Sequence, residues 1–306
     1  MLARVASVAI IVALLWVFLR RIEWAALGEA LRHALIIPLL LSALLYFVCL
    51  FAKALSWRIM LAPHNVVRLS HLYRYTIAAF AASCFTPVRA GEVLRVWALK
   101  RNDGVPTCDS TAVALAEKLL DAITLLMFCA PIPWLLSTLP AWVNDTILIT
   151  AGIALGIFVA LYFAVGWMRA RKPTSWAGRF LVGMHIVRSP RRLAHVVITK
   201  LLGWAVDLVA VMLVLHAVGI EVPIAAGMFI LFAFNLAIAI PSTPGQIGAL
   251  QVGVLIATDI LGIPREPALA FALLYHLMQM LPVIVVGLLL ELRLVVGRVP
   301  TRAAAQ

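Results

Sequence analysis

Runs of about 20 apolar residues with few charges recur along this chain, and that feature leaves few folds open. Such a run is long enough to cross the hydrocarbon core of a bilayer as an α-helix. In lipid the backbone must satisfy its own hydrogen bonds, so a spanning chain is either helical or a closed barrel. Barrel strands alternate apolar and polar residues with a period of two, and no stretch here does so. Apolar residues make up 64% of the chain and charged residues 12%, whereas soluble domains hold about 45–50% and about 25%. The expected fold is an all-α polytopic membrane protein.

Continuous helices are expected at 2–19, 34–52, 108–130, 146–167, 196–218 and 267–290. The first follows Arg4 and is followed by Arg20 and Arg21 without a small-residue cleavage site, which reads as an uncleaved anchor. Two other apolar regions are interrupted. Residues 72–100 break at Thr86-Pro87 and resume with Arg89, Glu92 and Arg95 aboard; residues 224–257 break at Pro241-Ser242-Thr243-Pro244-Gly245 and then resume. Proline removes a backbone donor and obstructs the preceding turn, while glycine frees the backbone, so each break is expected to be a corner. The pieces on either side are short for a span and suit re-entrant half-helices.

The net charge of +12 does not call for nucleic acid, because Lys and Arg crowd short loops on one side, as the positive-inside rule expects. Lys53, Arg58, Arg68 and Arg74 fall in one such stretch, seven arginines and lysines in 169–192, and Arg293, Arg298 and Arg302 in the tail. These stretches are expected to be cytoplasmic and to attract anionic lipid, with 131–145 and 219–223 outside. Arg20, Arg21 and Arg32 run against this assignment. Segment 176–187 mixes apolar and basic residues and reads as a surface-lying helix or an ordinary loop. Cys49, Cys84, Cys108 and Cys129 show no metal-type spacing and read as small buried residues.

The two breaks belong to a repeat. Thr86-Pro87-x-x-x-Gly91 recurs as Thr243-Pro244-x-x-x-Gly248, and Gly104-Val105-Pro106 recurs as Gly262-Ile263-Pro264, with a one-residue slip between the two offsets. Glu117-Lys118 then aligns with Tyr275-His276. The repeating unit is helix, broken hairpin, helix, at 34–130 and 196–292. Around these lie an N-terminal segment 1–33, a connection 131–195 and a tail 293–306. With the charge assignment above, the copies are inverted, the arrangement in which broken helices from opposite faces create a midplane site in transporters.

Pro87-x-Arg89-x-Gly91-Glu92-x-x-Arg95 followed by Glu117-Lys118-x-x-Asp121, and Pro241-x-x-Pro244-Gly245-x-x-Gly248 followed by Leu261-Gly262, resemble the two signatures of the lysylphosphatidylglycerol synthase transmembrane family. The resemblance spans nearly the whole chain. It implies a flippase-like domain similar to that of MprF-type proteins, which move aminoacylated phosphatidylglycerol, or to stand-alone and hopanoid-associated members. The synthase portion of MprF-type proteins follows the membrane part; the chain ends at Gln306, so aminoacyl transfer is not expected. Gln246 and Gln251 stand where the family often has Gly and Glu, and His276 where it often has Arg. These departures point away from a cationic aminoacylated lipid.

Candidate substrate contacts follow from the cost of an ionisable group at membrane depth, about 2.5–3.5 kcal/mol on insertion scales. Arg89 is placed to meet a lipid phosphate, with Glu92 holding an arginine in position; equally, Arg89, Glu92 and Arg95 make an ion-pair clasp. Glu117, Lys118 and Asp121 lie on the next helix, as a counter-charge to the arginines, as a proton-coupled pair, or as cytoplasmic-end charges reaching the interface. Asp207 sits mid-helix. Tyr275, His276 and Gln279 line the last helix, His276 as a structural residue or a proton carrier. Gln246 and Gln251 complete the set, and Pro87, Gly91, Pro241, Pro244, Gly245 and Gly248 form the breaks. Asn235 is expected to bond freed backbone at the second break, and Trp57 to anchor at the headgroup level beside Lys53 and Arg58.

No Walker sequence, GxSxG elbow, HExxH or metal-type cysteine spacing occurs, and no metal or cofactor is expected. The leading expectation is a flippase-like transporter of a phospholipid, polyprenyl lipid or hopanoid in a bacterial inner membrane, with a cytoplasmic C-terminus. The alternatives are a membrane transferase using Glu92 or Asp121 as base and an ion-coupled small-solute carrier. A homo-oligomer is compatible with each of these.

Overall fold

The computed structural model describes residues 32, 34–62, 66–85, 91–136, 139–170, 189–239, 244–246 and 248–296. The expected first helix, segment 176–187, Arg89, Pro87, Pro241 and the tail arginines Arg298 and Arg302 lie outside them. Within them the elements are α1 (Ile36–Leu61), α2 (Leu69–Phe85), α3 (Gly91–Asp103), α4 (Thr107–Cys129), α5 (Ile132–Leu135), α6 (Ala141–Ala170), α7 (Pro190–Ala217), α8 (Ile224–Ala239), a 3₁₀ turn (Pro244–Gln246), α9 (Ala249–Ile260) and α10 (Arg265–Val296). No strand occurs among the described residues.

Among the described residues four helices are long and apolar enough to cross a membrane: Ile36–Leu61, Ala141–Trp167, Pro190–Ala217 and Arg265–Leu290. The helix expected at 108–130 forms as α4 but falls outside that apolar class, because Asp109, Glu117, Lys118 and Asp121 ride on it. The helix expected at 34–52 continues to Leu61, so Lys53 and Arg58 sit within α1 and Arg74 within α2, not in a loop. Of these three, Lys53 finds a counter-charge in Asp121. The outer surface stays apolar, with Leu148, Ile149, Ile153 and Phe163 of α6 and Ile36, Ile37, Leu40 and Leu44 of α1 exposed.

The described part of α2 ends at Phe85, ahead of Thr86-Pro87, and that of α8 at Ala239, ahead of Pro241. After each broken pair comes a matching turn, with Gly104 and Gly262 both at φ +70. A residue with a Cβ resists that left-handed conformation, so glycine suits a helix exit there. The order helix, broken pair, left-handed glycine turn, helix thus occurs twice, in α1–α4 and again in α7–α10.

The α1–α7 pair forms the spine. The two run antiparallel: Leu35 N–H donates to the Ala217 carbonyl at 3.0 Å at one end, and Cys49 Sγ approaches the Gly203 carbonyl at 3.6 Å near the middle. α4 and α10 pack beside them. Two large apolar clusters fill the interior. One gathers Trp57, Met60 and Leu61 with Leu72, Leu99, Val113, Leu120 and Val196; the other gathers Leu39 with Leu125, Val211, Val214, Phe234, Val254 and Phe271. The boundary between the two clusters falls at Lys53 on α1, Asp121 on α4 and Lys200 on α7.

The broken pairs close through glycine. A Cβ on Gly91 would overlap the Ala79 carbonyl and Ser83 of α2, and one on Gly253 would stand 2.7 Å from Phe234 Cα and 2.8 Å from Ala237 Cβ of α8. Gly91 was expected to matter as part of a break; its role is close packing of α3 on α2. Gly253, which carries the corresponding contact in the second pair, was not anticipated. Overpacking of this kind costs about 1–3 kcal/mol. Gly91→Ala and Gly253→Ala should therefore lower the thermal unfolding temperature of the detergent-solubilised protein. Gly152→Ala on α6, where nothing lies within 4 Å, should leave it unchanged or raise it; equal behaviour of all three would contradict the packing assignment.

Candidate functional site

The described ends of the two breaks approach neighbouring turns of α10. Cys84 and Phe85, at the end of α2, pack against Met280, Ile284 and Leu288. His276 Nε2 lies 2.9 Å from the Gly245 carbonyl in the 3₁₀ turn. That turn is also packed against α2. Gly245 and Gln246 adopt φ 65 and φ 59 there, and Gly248 adopts φ 95. Gln251 caps α9 by accepting the Gly248 N–H at 2.7 Å, while its Nε2 lies 3.2 Å from His276 Nδ1. His276 and Gln251 thus fasten the second break to α10.

The charged residues make a belt: Lys53, Asp121 and Lys200 lie where the two apolar clusters meet, and Arg95 and Glu117 lie beside Trp57, Leu99 and Ala116 of one of them. Arg95 Nη2 donates to Glu117 Oε2 at 2.8 Å, with the side chains 2% and 3% exposed. The Arg95 guanidinium stacks on the Trp57 ring at 3.9 Å. Asp121 holds two lysines, Lys53 at 3.0 Å through Oδ2 and Lys200 at 2.5 Å through Oδ1. Lys118 pairs with Glu92. One turn along the same α4–α7 contact, Trp204 Nε1 donates to Thr124 Oγ1 at 3.1 Å. Breaking a buried ion pair leaves an uncompensated charge and costs about 3–5 kcal/mol, so this belt fixes α1, α3, α4 and α7 to one another.

Several expectations are corrected here. Among the described residues Glu92 pairs with Lys118 and Arg95 with Glu117, not with each other, and the third member of the expected clasp, Arg89, lies outside them. Glu92 and Arg95 are three residues apart on α3, but α4 offers each a better partner. Trp57 is fully buried beneath Arg95 and anchors nothing at a headgroup level. Lys53 reaches Asp121. Asn235 Nδ2 donates to the Leu231 carbonyl one turn back in its own helix. The reading of Glu117, Lys118 and Asp121 as counter-charges to the arginines fits Glu117 alone, since the other two pair with Glu92 and with lysines. Lys200 had no expected role, although it is the only Lys or Arg between Arg192 and Arg265, ten residues into an apolar helix. That isolation was the available signal.

A second polar group lies further along α7. Asp207 Oδ1 accepts from Tyr275 at 2.7 Å and faces Gln279 Nε2 at 3.5 Å. Tyr275 is buried, stacked on Phe271 with centroids 5.5 Å apart and close to Phe234. Seven residues separate Lys200 from Asp207, about 10 Å along the helix.

At the base of the first broken pair, Asp103 receives Tyr75 at 2.8 Å and pairs with His71 at 2.9 Å, closing α3 back onto α2. No sequence pattern announced this clasp.

The model of the family described as the lysylphosphatidylglycerol synthase TM region matches residues 4–287. The chain belongs to that family. No curated protein and no solved structure matches it. Within this lysylphosphatidylglycerol synthase TM region protein, the signature residues Arg95, Glu117 and Asp121 are the ones that meet in the buried belt, and Gly245, Gly248 and Gln251 build the second break.

Asp121→Asn should leave Lys53 and Lys200 facing each other without their shared carboxylate, lowering stability by about 3–5 kcal/mol. Removing one lysine as well should restore part of the loss, so Asp121→Asn/Lys200→Met should melt above Asp121→Asn alone. A double variant melting lower, by the sum of both single effects, would contradict a shared carboxylate.

Proposed function

We propose that this protein is a flippase-like lipid transporter, moving a polar-headed lipid between leaflets while its tails stay in the bilayer. The observation that carries this reading is the belt of paired charges on α1, α3, α4 and α7, buried in the apolar interior of a protein four of whose described helices are long enough to span. Charges at such depth are expensive, and those in membrane proteins mark substrate and ion pathways. Membership of a family whose description names a lipid-modifying synthase's membrane region agrees with a lipid substrate.

In this reading the two broken pairs are re-entrant hairpins of an inverted repeat, entering from opposite faces. The antiparallel pairing of α1 with α7, the first helices of the two runs, supports inversion, as does the meeting of both break ends along α10. The headgroup is handled by Arg89, Arg95 and the surrounding belt, with Asp207, Tyr275, Gln279, His276, Gln246 and Gln251 lining the second half of the path. The protein is assigned to a bacterial inner membrane with its C-terminus in the cytoplasm, and anionic lipid gathers at its basic face.

The transferase alternative needs a carboxylate free to act as base. Glu92 is held by Lys118, and Asp121 is shared between two lysines, which favours transport. Purified protein reconstituted with fluorescent phospholipids, polyprenyl phosphates and hopanoids provides the test. At least one lipid class should exchange between leaflets faster than in protein-free liposomes, and Glu117→Gln should slow that exchange. Exchange equal to protein-free liposomes for every class would overturn the reading.

A further inference from the structure

Among the described residues the charges of the belt do not balance where they meet. Lys53, Arg95 and Lys200 converge with Glu117 and Asp121, three cations against two carboxylates, while Lys118 and Glu92 neutralise each other. The five form one electrostatic group: Glu117 feels Lys200 and Lys53 as well as Arg95, and Lys53 feels Arg95. An unmatched cation is costly in a medium of low dielectric. Nor are the donors used up. Arg95 is 2% exposed, yet its Nε and Nη1 have no hydrogen-bond partner, and neither does Nε1 of the buried Trp57 against which it stacks. Buried guanidinium nitrogens are ordinarily satisfied. The site is reachable at one end, since the side chains of Lys53 and Asp121 are 28% and 19% exposed, against 3% for Lys200.

The carboxylate that restores the balance lies apart from this group. Asp207 sits about two turns along α7 from Lys200, and among the described residues no Lys, Arg or His lies within ion-pair distance of it. Its neighbours from α10 are Tyr275 and Gln279, which donate to it. From α1 come Cys49 and, at longer range, Lys53. From α4, Glu117 and Asp121 face Lys200 and Lys53, and α8 carries no ionisable side chain. With Asp207 ionised, the group totals three cations and three carboxylates. With Asp207 protonated, one cation is left over, and a singly charged anion beside the lysines restores neutrality.

We infer that Lys53, Lys200 and Arg95 form an anion site for a phosphodiester, and that Asp207 takes up a proton when the anion binds. This rests on the transport reading for its biological sense, and it narrows the cargo to a headgroup with a net negative charge. The arginine supplies a planar fork suited to phosphate oxygens and the lysines supply point charges. Because anion and proton enter together, binding tightens as pH falls through the range where Asp207 titrates. A single linked proton gives about a tenfold change in affinity per pH unit at the limiting slope. Such linkage couples lipid movement to a proton gradient without nucleotide.

Calorimetric titration of the full chain in detergent tests this with probes whose charge is constant from pH 5 to pH 9: dihexanoyl phosphatidylglycerol, dihexanoyl phosphatidylcholine and water-soluble dimethyl phosphate. Phosphatidylglycerol should bind at least about tenfold tighter than phosphatidylcholine, more tightly at low pH, with close to one proton taken up per lipid where Asp207 is ionised. Lys200→Met should lose that preference and Lys200→Arg should keep it. Asp207→Asn should bind tightly across the whole range with no proton uptake, a gain that misfolding does not produce. Competition by dimethyl phosphate supports a site open to soluble phosphodiesters; its failure beside tight phosphatidylglycerol binding supports a lipid-only site. Equal affinity for the two lipids would overturn the anion site, and an unchanged pH slope in Asp207→Asn would overturn the linkage. The titration reads no transport, so binding without leaflet exchange would remove the flippase reading alone, and exchange without anion preference would remove this inference alone.

Discussion

A charge removed from water must find its counter-charge inside the protein, and most of this architecture follows from where those partners stand. Arg95 and Glu117 are both almost wholly buried, on helices that follow one another through a tight glycine turn. Asp121, one turn beyond Glu117, reaches across to α1 and α7. A single helix, α4, therefore distributes carboxylates to the first broken pair on one side and to the antiparallel spine on the other. Without these contacts the four charged groups on α4 would oppose its burial, since hydropathy alone does not place it in a membrane.

The belt also explains why the apolar interior is divided. Three of the four helices that carry belt residues change clusters, α1 between Leu39 and Ala54, α4 between Leu120 and Leu125, α7 between Val196 and Leu208, whereas α3 contributes Ala98 and Leu99 to one cluster alone. The second break is fastened instead by Gln251 and His276, through each other and the Gly245 carbonyl. The two halves share element order and glycine turns but differ in chemistry, one side charged and the other governed by Asp207 and Tyr275.

Element identity was legible because its causes are local. Apolar runs, Thr86-Pro87 and Pro241-Ser242-Thr243-Pro244 determine where helices run and stop, and the recurring Gly-x-Pro turns reveal the repeated order. The membership of Arg95, Glu117, Asp121 and Asp207 in polar clusters was legible too, since each is ionisable in an apolar context. Their partners were not. Glu92 and Arg95 share a helix face, and nothing in one helix's sequence says that α4 will draw each of them away. Lys53 and Trp57 resemble an interfacial anchor because the length of α1 beyond residue 52 depends on burial of those same side chains. Gly253 looks like any other glycine in an apolar helix until α8 is laid against it.

The central claim is that the Arg95–Glu117 pair, buried between α3 and α4, holds the first broken pair in place. A double-mutant cycle with Arg95→Met and Glu117→Gln, read by reversible denaturation in mixed micelles, measures it directly. Each single change should cost about 3–5 kcal/mol and the double change far less than their sum, because removing both partners leaves no orphaned charge. Strictly additive effects would mean that the two side chains do not depend on each other, and the account would fail.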